Sequence, residues 1–156
     1  MYKRQILEKA LSESIKDSRD SLITSYLDHR NNRITKYSAD NPYLEPVENY
    51  YVIQEGSARY IEYQGMLIFQ NYFNRANGPL VKNDPKFGSF IEFKEIDFES
   101  DAFNYLVYAG PTDYHYTLGF NTMRLLDELK INYKNELLDN PEKGLHQHLE
   151  DYIKSL

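Results

Sequence analysis

The chain has 156 residues, 41% hydrophobic and 27% charged, with no cysteine. That is the length of one ordinary domain, able to bury roughly two thirds of its unfolded surface without disulfide or metal staples. The composition excludes collagen-like, coiled-coil-only and wholly disordered chains, and the lack of cysteine excludes disulfides, thiolate catalysis, zinc ribbons and iron–sulfur ligation. The net charge of −6 is concentrated in residues 41–120, where 5 basic residues stand against 11 acidic ones, and five acids fall within ten residues at Glu92, Glu95, Asp97, Glu99 and Asp101. A nucleic-acid surface needs a basic stripe to displace counterions, so nucleic acid is not expected as a partner. No apolar run approaches the roughly eighteen residues of a membrane span, and the first residues lack the core of a signal peptide. The expectation is a single cytoplasmic domain over residues 1–156, with no membrane association.

At the N-terminus, Leu7, Leu11, Ile15, Leu22 and Tyr26 form one apolar row and Ile6, Ala10, Ile23, Leu27 and Ile34 a second. Such spacing predicts an amphipathic helix over about 2–35, or two helices parted at the polar stretch 16–21, where Ser18 or Ser21 could cap the second. Its cations alternate with acids, as on an ordinary solvated face. An apolar row wider than one sheet can cover would leave a spare stripe and favour a homodimer. Residues 37–48 contain Asn41-Pro42 and Glu45-Pro46 and read as a linker.

From residue 49 the composition turns β-rich. Strands are predicted at 50–53, 58–63, 66–73, 80–81, 89–98, 103–108 and 114–120, with a tight hairpin at Gln64-Gly65 and a turn over 110–113. A helix capped by Asn121 is predicted through Leu138 to a stop at Asn140-Pro141, followed by a short helix over 145–156. The expected fold class is α+β: an N-terminal helix or two, an antiparallel sheet of five to seven strands, and two C-terminal helices.

Tyrosine is the compositional outlier, with 15 Tyr and 8 Phe but no Trp, and ten of the tyrosines lie between residues 43 and 116. On a half-buried sheet a tyrosine packs its ring and keeps its hydroxyl wet; on a recognition face it gives large contact area for little entropy. The acidic run interleaves with Phe90, Phe93, Phe98 and Phe103. Outward-facing acids on a strand are ordinarily just solvated. The functional reading is a docking surface for a basic protein, made by Glu92, Phe93, Glu95, Asp97, Glu99, Asp101, Tyr105 and Tyr108, with carboxylates steering and aromatics anchoring.

His146-Gln147-His148 invites a metal reading, but on a helix residues two apart point about 200° away from each other and cannot chelate together, so no metal is expected. Asp113-Tyr114-His115 could orient a histidine base, yet no nucleophile elbow, H-E-x-x-H or glycine-rich phosphate cradle accompanies it. A two-carboxylate hydrolase stays open, since its acids need not be close in sequence. No catalytic residue or cofactor is assigned. The expected function is non-catalytic, stoichiometric binding of a protein partner, of the inhibitor, immunity or antitoxin kind, through an acidic and aromatic sheet surface. Two alternatives are a small-ligand protein or enzyme with a Tyr-lined pocket between sheet and helices, and a dimeric chaperone or structural subunit.

Overall fold

A computed structural model describes residues 2–76, 113–140 and 142–156. Every regular element in them is an α-helix: α1 Tyr2–Ser12, α2 Lys16–Tyr37, α3 Leu44–Ala76, α4 Asp113–Glu128, α5 Lys134–Asp139 and α6 Leu145–Lys154. The antiparallel sheet is therefore corrected, because the described residues contain no strand. Residues 50–53, 58–63 and 66–73 form one 33-residue helix, α3, with Gln64-Gly65 inside it, and 114–120 lie within α4. The predicted strands at 80–81, 89–98 and 103–108 lie outside the described residues.

The two-helix alternative for the N-terminus is the one observed, with the break at 13–15, ahead of the polar stretch. There Ile15 takes an extended backbone and its N–H donates to the Glu13 carboxylate at 2.9 Å; Ser18 and Ser21 lie inside α2, so neither caps it. The α2 helix buries Asp20, Ile23, Tyr26, Leu27 and Arg30, a three-and-four-residue row that carries its polar members along with its apolar ones. It ends at Tyr37, and α3 begins at Leu44, so the expected linker is shorter than predicted. Pro46 lies in the first turn of α3, where its missing N–H would have no intrahelical partner anyway.

The α4 helix occupies the centre. Residues 117–123 are buried without interruption, so more than one full turn is covered on all sides, and Leu118, Phe120, Met123, Leu125 and Leu126 join Leu7, Ile23, Val52, Leu145 and Leu149 in one core. Its neighbours are α3, α1 and α6; α2 packs on α1 and α6. A helix buried all round shows no one-sided period, which is why 114–120 read as a strand. Asn121 is likewise no cap but a buried residue within α4.

Two glycines set the closest approach of α3 and α4. A Cβ on Gly56 would lie 2.6 Å from the Gly119 carbonyl carbon, and a Cβ on Gly119 would lie 2.6 Å from Gly56 Cα and overlap the Val52 carbonyl oxygen. Because backbone meets backbone there, no flexible side chain can yield. The C-terminal helical region is also corrected: α4 stops at Glu128, where Lys130 adopts a left-handed φ of 57° and the Ile131 N–H donates to the Leu126 carbonyl at 2.9 Å, a closing bond of the Schellman kind. The short α5 follows, then α6.

Gly119→Ala should lower the unfolding free energy by about 2–4 kcal/mol through overpacking at the crossing. Gly65→Ala, where a Cβ would meet nothing within 4 Å among the described residues, should raise it by up to ~1 kcal/mol through helix propensity. Urea unfolding followed by circular dichroism measures both, and equal effects at the two glycines would refute a backbone contact at Gly119.

Candidate functional site

Arg30, only 1% exposed, reaches from α2 into the start of α3. Its guanidinium donates to Glu45 Oε1 at 3.0 Å and Asn49 Oδ1 at 2.9 Å, and its Nε lies 3.3 Å from Glu48 Oε1 as an ion pair without hydrogen-bond alignment. Arg33 pairs with the other oxygen of Glu48. A carboxylate buried as deeply as Glu48 needs such compensation, and two guanidiniums supply it. Asn49 in turn lies against Gly144: a Cβ on that glycine would lie 2.6 Å from Asn49 Cγ, so glycine lets α6 begin directly beside α3. The network thus holds α2, α3 and the start of α6 together.

Next to it opens a cleft of about 900 Å³, lined from α3 by Glu45, Pro46, Asn49, Tyr50, Ile53 and Gln54, and from the opposite side by Leu137, Glu142 and Gln147. Its floor is largely apolar. Two carboxylates stand at its rim: Glu45, partly engaged by Arg30, and the exposed Glu142. Gln147 Oε1 is buried and has no hydrogen-bond partner among the described residues. Tyr43, Val47, Tyr50 and Tyr51 are exposed at this end of α3, Tyr43 at 72% and Tyr50 at 61%. Of these, Tyr50 lines the cleft, whereas Tyr51 stacks on His115 of α4.

The remaining titratable groups are tied into the fold. Tyr26 and His146 share a buried hydrogen bond of 2.9 Å between hydroxyl and Nδ1, and burial raises the Tyr26 hydroxyl far above its usual range. His148, 4% exposed, packs edge-on against Tyr133, and burial, with the Lys143 cation, holds it below the usual histidine range. The two histidines of the 146–148 motif thus contact different neighbours. Lys134 Nζ donates to the Tyr60 hydroxyl at 2.9 Å and pairs with Asp127 Oδ1 at 2.9 Å, and Tyr60 donates to the same carboxylate, joining α3, α4 and α5. His115 stacks on Tyr51 with centroids 5.5 Å apart; burial and then Arg33 lower its pKa, and its Nδ1 has no partner among the described residues, a hydroxyl nucleophile included. Among the described residues no group of three or more His, Asp or Glu could hold a metal ion, and no helix is long and apolar enough to cross a membrane.

The residues that sequence reasoning assigned to partner binding, Glu92, Phe93, Glu95, Asp97, Glu99, Asp101, Tyr105 and Tyr108, lie outside the described residues. What sequence reasoning missed is the cleft. Its members come from 45–54, 137 and 142–147, and of them only Tyr50, as one of the clustered tyrosines, carried a signal. No protein-family model, curated protein or solved structure matches this chain.

Arg30→Ala leaves the buried Glu48 carboxylate with Arg33 but without its second guanidinium, and Asn49 Oδ1 without its donor, and should cost about 3 kcal/mol, whereas Lys134→Ala, at an exposed pair, should cost under ~1 kcal/mol; chemical denaturation separates the two. At Asp20, burial acts to raise the carboxyl, but hydrogen bonds from Lys16 at 2.7 Å and Tyr152 at 2.8 Å outweigh it and leave the pKa lowered. The unfolded chain therefore takes the proton first. The resulting stability is fully present above the unfolded value of about 4 and is lost as pH falls through the lower native value. Asp20→Asn should cost about 1 kcal/mol at pH 7, a difference that fades toward pH ~3. A deficit of constant size from pH 7 to pH 3 would contradict this.

Proposed function

We propose that the protein works by stoichiometric binding of a basic protein partner, in the manner of an inhibitor, immunity protein or antitoxin, and that the cleft between the start of α3 and the α5–α6 region receives it. The single observation that carries this reading is the coincidence, in one place, of an open apolar cleft, two lining carboxylates, Glu45 and Glu142, and the exposed Tyr50 ring. An exposed tyrosine lining a concavity gives large contact area at low entropy, which is the chemistry of interface anchors. Carboxylates at the rim, on a chain of net charge −6, favour Lys or Arg on the approaching surface and speed its association. The buried Arg30 network stiffens one wall, so less ordering is needed on binding.

A small ligand is the second reading. A cleft of about 900 Å³ lies within the range of small-molecule sites, and the unpartnered Gln147 Oε1 offers an acceptor to an amide or ammonium donor.

Titration with an amphipathic Leu/Lys helical peptide and its Leu/Glu counterpart tests the first reading. The Leu/Lys peptide should bind with an affinity that falls as salt is raised. Tyr50→Ala and Glu142→Lys should each weaken it about tenfold, the former at all salt concentrations and the latter mainly at low salt. Equal binding of the Leu/Glu peptide, or indifference to Tyr50→Ala, would reject the basic-partner reading.

A further inference from the structure

The outward face of α3 carries a second pattern. Val47, Gln54, Ile61 and Ile68 recur at seven-residue spacing, with Tyr50, Ser57, Ala58 and Gly65 between them on the same face. Val47, Ile61 and Ile68 are 48%, 68% and 69% exposed, so this stripe is not used by the core. It is also uncharged over its whole length of about 30 Å, although the outward face of a helix is where charge ordinarily sits. Gly65 is the telling member. Gly56 and Gly119 are explained by the α3–α4 crossing, but a Cβ on Gly65 would meet nothing within 4 Å, so nothing among the described residues offsets the helix propensity lost there.

We propose that this stripe is the seam of a homodimer in which α3 packs antiparallel on α3 of a second copy, about a two-fold axis between Ser57 and Ala58. Under that pairing every member of the stripe faces another member: Val47 meets Ile68, Tyr50 meets Gly65, Gln54 meets Ile61 and Ser57 meets Ala58. The sizes are complementary, with the bulky Tyr50 ring over the bare Gly65 backbone and small residues at the axis, where the two helices come closest. A seven-residue repeat, here apolar at Val47, Ile61 and Ile68 and polar at Gln54, is the pattern that packs against another helix. Because two copies of net charge −6 repel, self-association requires a neutral strip, and this one is neutral; a strongly charged partner would find no complement on it. The two opposed helix dipoles add a small favourable contribution. A strip about 30 Å long and 10 Å wide is small for a specific interface, which places the dimer in the weak, concentration-dependent class. This face is distinct from the apolar rows of α1 and α2, which are largely consumed by the core; it shares Tyr50 and Gln54 with the cleft, whereas Ile61 and Ile68 do not line it.

The absence of cysteine allows a direct test on the full chain. Sedimentation equilibrium from about 1 to 200 µM should show wild type moving from monomer toward dimer. Ile61→Glu should raise the dimer dissociation constant at least tenfold while leaving thermal unfolding at low concentration unchanged. On mild oxidation Ala58→Cys should form a disulfide-linked dimer, because its copies lie beside the axis. Ile68→Cys should not, because its copies lie about 30 Å apart. A wild type that stays monomeric throughout, an Ile61→Glu protein that dimerises as wild type does, or equal cross-linking at positions 58 and 68 would overturn the proposal. A monomeric wild type whose peptide binding still depends on Tyr50 would overturn the dimer alone and leave the cleft reading standing.

Discussion

The architecture depends on the place where α3 and α4 touch without side chains, at Gly56 and Gly119. A helix pair separated by ordinary side chains leaves its axes about 8–10 Å apart; at this crossing the backbones themselves set the limit. That proximity lets α4 sit deep enough for α1 and α6 to close over its other sides, and it accounts for a chain this small enclosing residues 117–123 entirely. Burial on that scale brings in polar groups as well, and Thr117, Asn121 and Thr122 are buried with the apolar residues of α4.

Around this apolar centre the fold is joined by charge and hydroxyl contacts between helices distant in sequence. Arg30 and Arg33 bind α2 to the first turns of α3, Tyr152 binds α6 to Asp20 of α2, Tyr26 meets His146 across the same pair, and Lys134 links Asp127 to Tyr60. The Arg30 network has a further consequence. It fixes the end of α3 that carries Glu45, Asn49 and Tyr50, so the wall of the cleft is held from behind by buried groups while its front stays open. The tyrosines divide in the same way. Tyr26, Tyr60 and Tyr133 are core residues, whereas Tyr43, Tyr50 and Tyr51 are exposed, so the tyrosine excess serves packing and surface at once.

Legibility in the sequence followed one-sidedness. The α1–α2 pair and the final helix were readable because each buries one face and solvates the other. The long middle helix was not, for reasons that specific residues show. Its inward row is Glu48, Val52, Gly56 and Tyr60, and only two of these four are the residues from which an apolar period is recognised. Glu48 is inward because Arg30 and Arg33 meet it there, and Gly56 because Gly119 does; neither partner is adjacent in sequence. With those two discounted, the β-rich Tyr50-Tyr51-Val52-Ile53 dominated, and Gly65 read as a turn. Tertiary contact overrode local propensity, as it does most readily for aromatic and β-branched residues. The cleft was illegible for a related reason: it is formed by segments about ninety residues apart, whose meeting is set by Asn49 lying against Gly144.

The described residues thus form a helical scaffold whose interior is specified by a glycine crossing and a buried ion network, with Val47, Tyr50, Ile61 and Ile68 of its long helix exposed. Hydrogen exchange resolved along the chain tests the crossing most directly. If backbone contact at Gly119 organises the fold, amides of 117–126 and of 52–60 should exchange together, at the slow limit set by global unfolding, while those of α5 and of the first turn of α1 exchange faster. Exchange of 117–126 as fast as that of α5 would contradict a central, enclosed α4 and, with it, the glycine crossing as the contact that organises the fold.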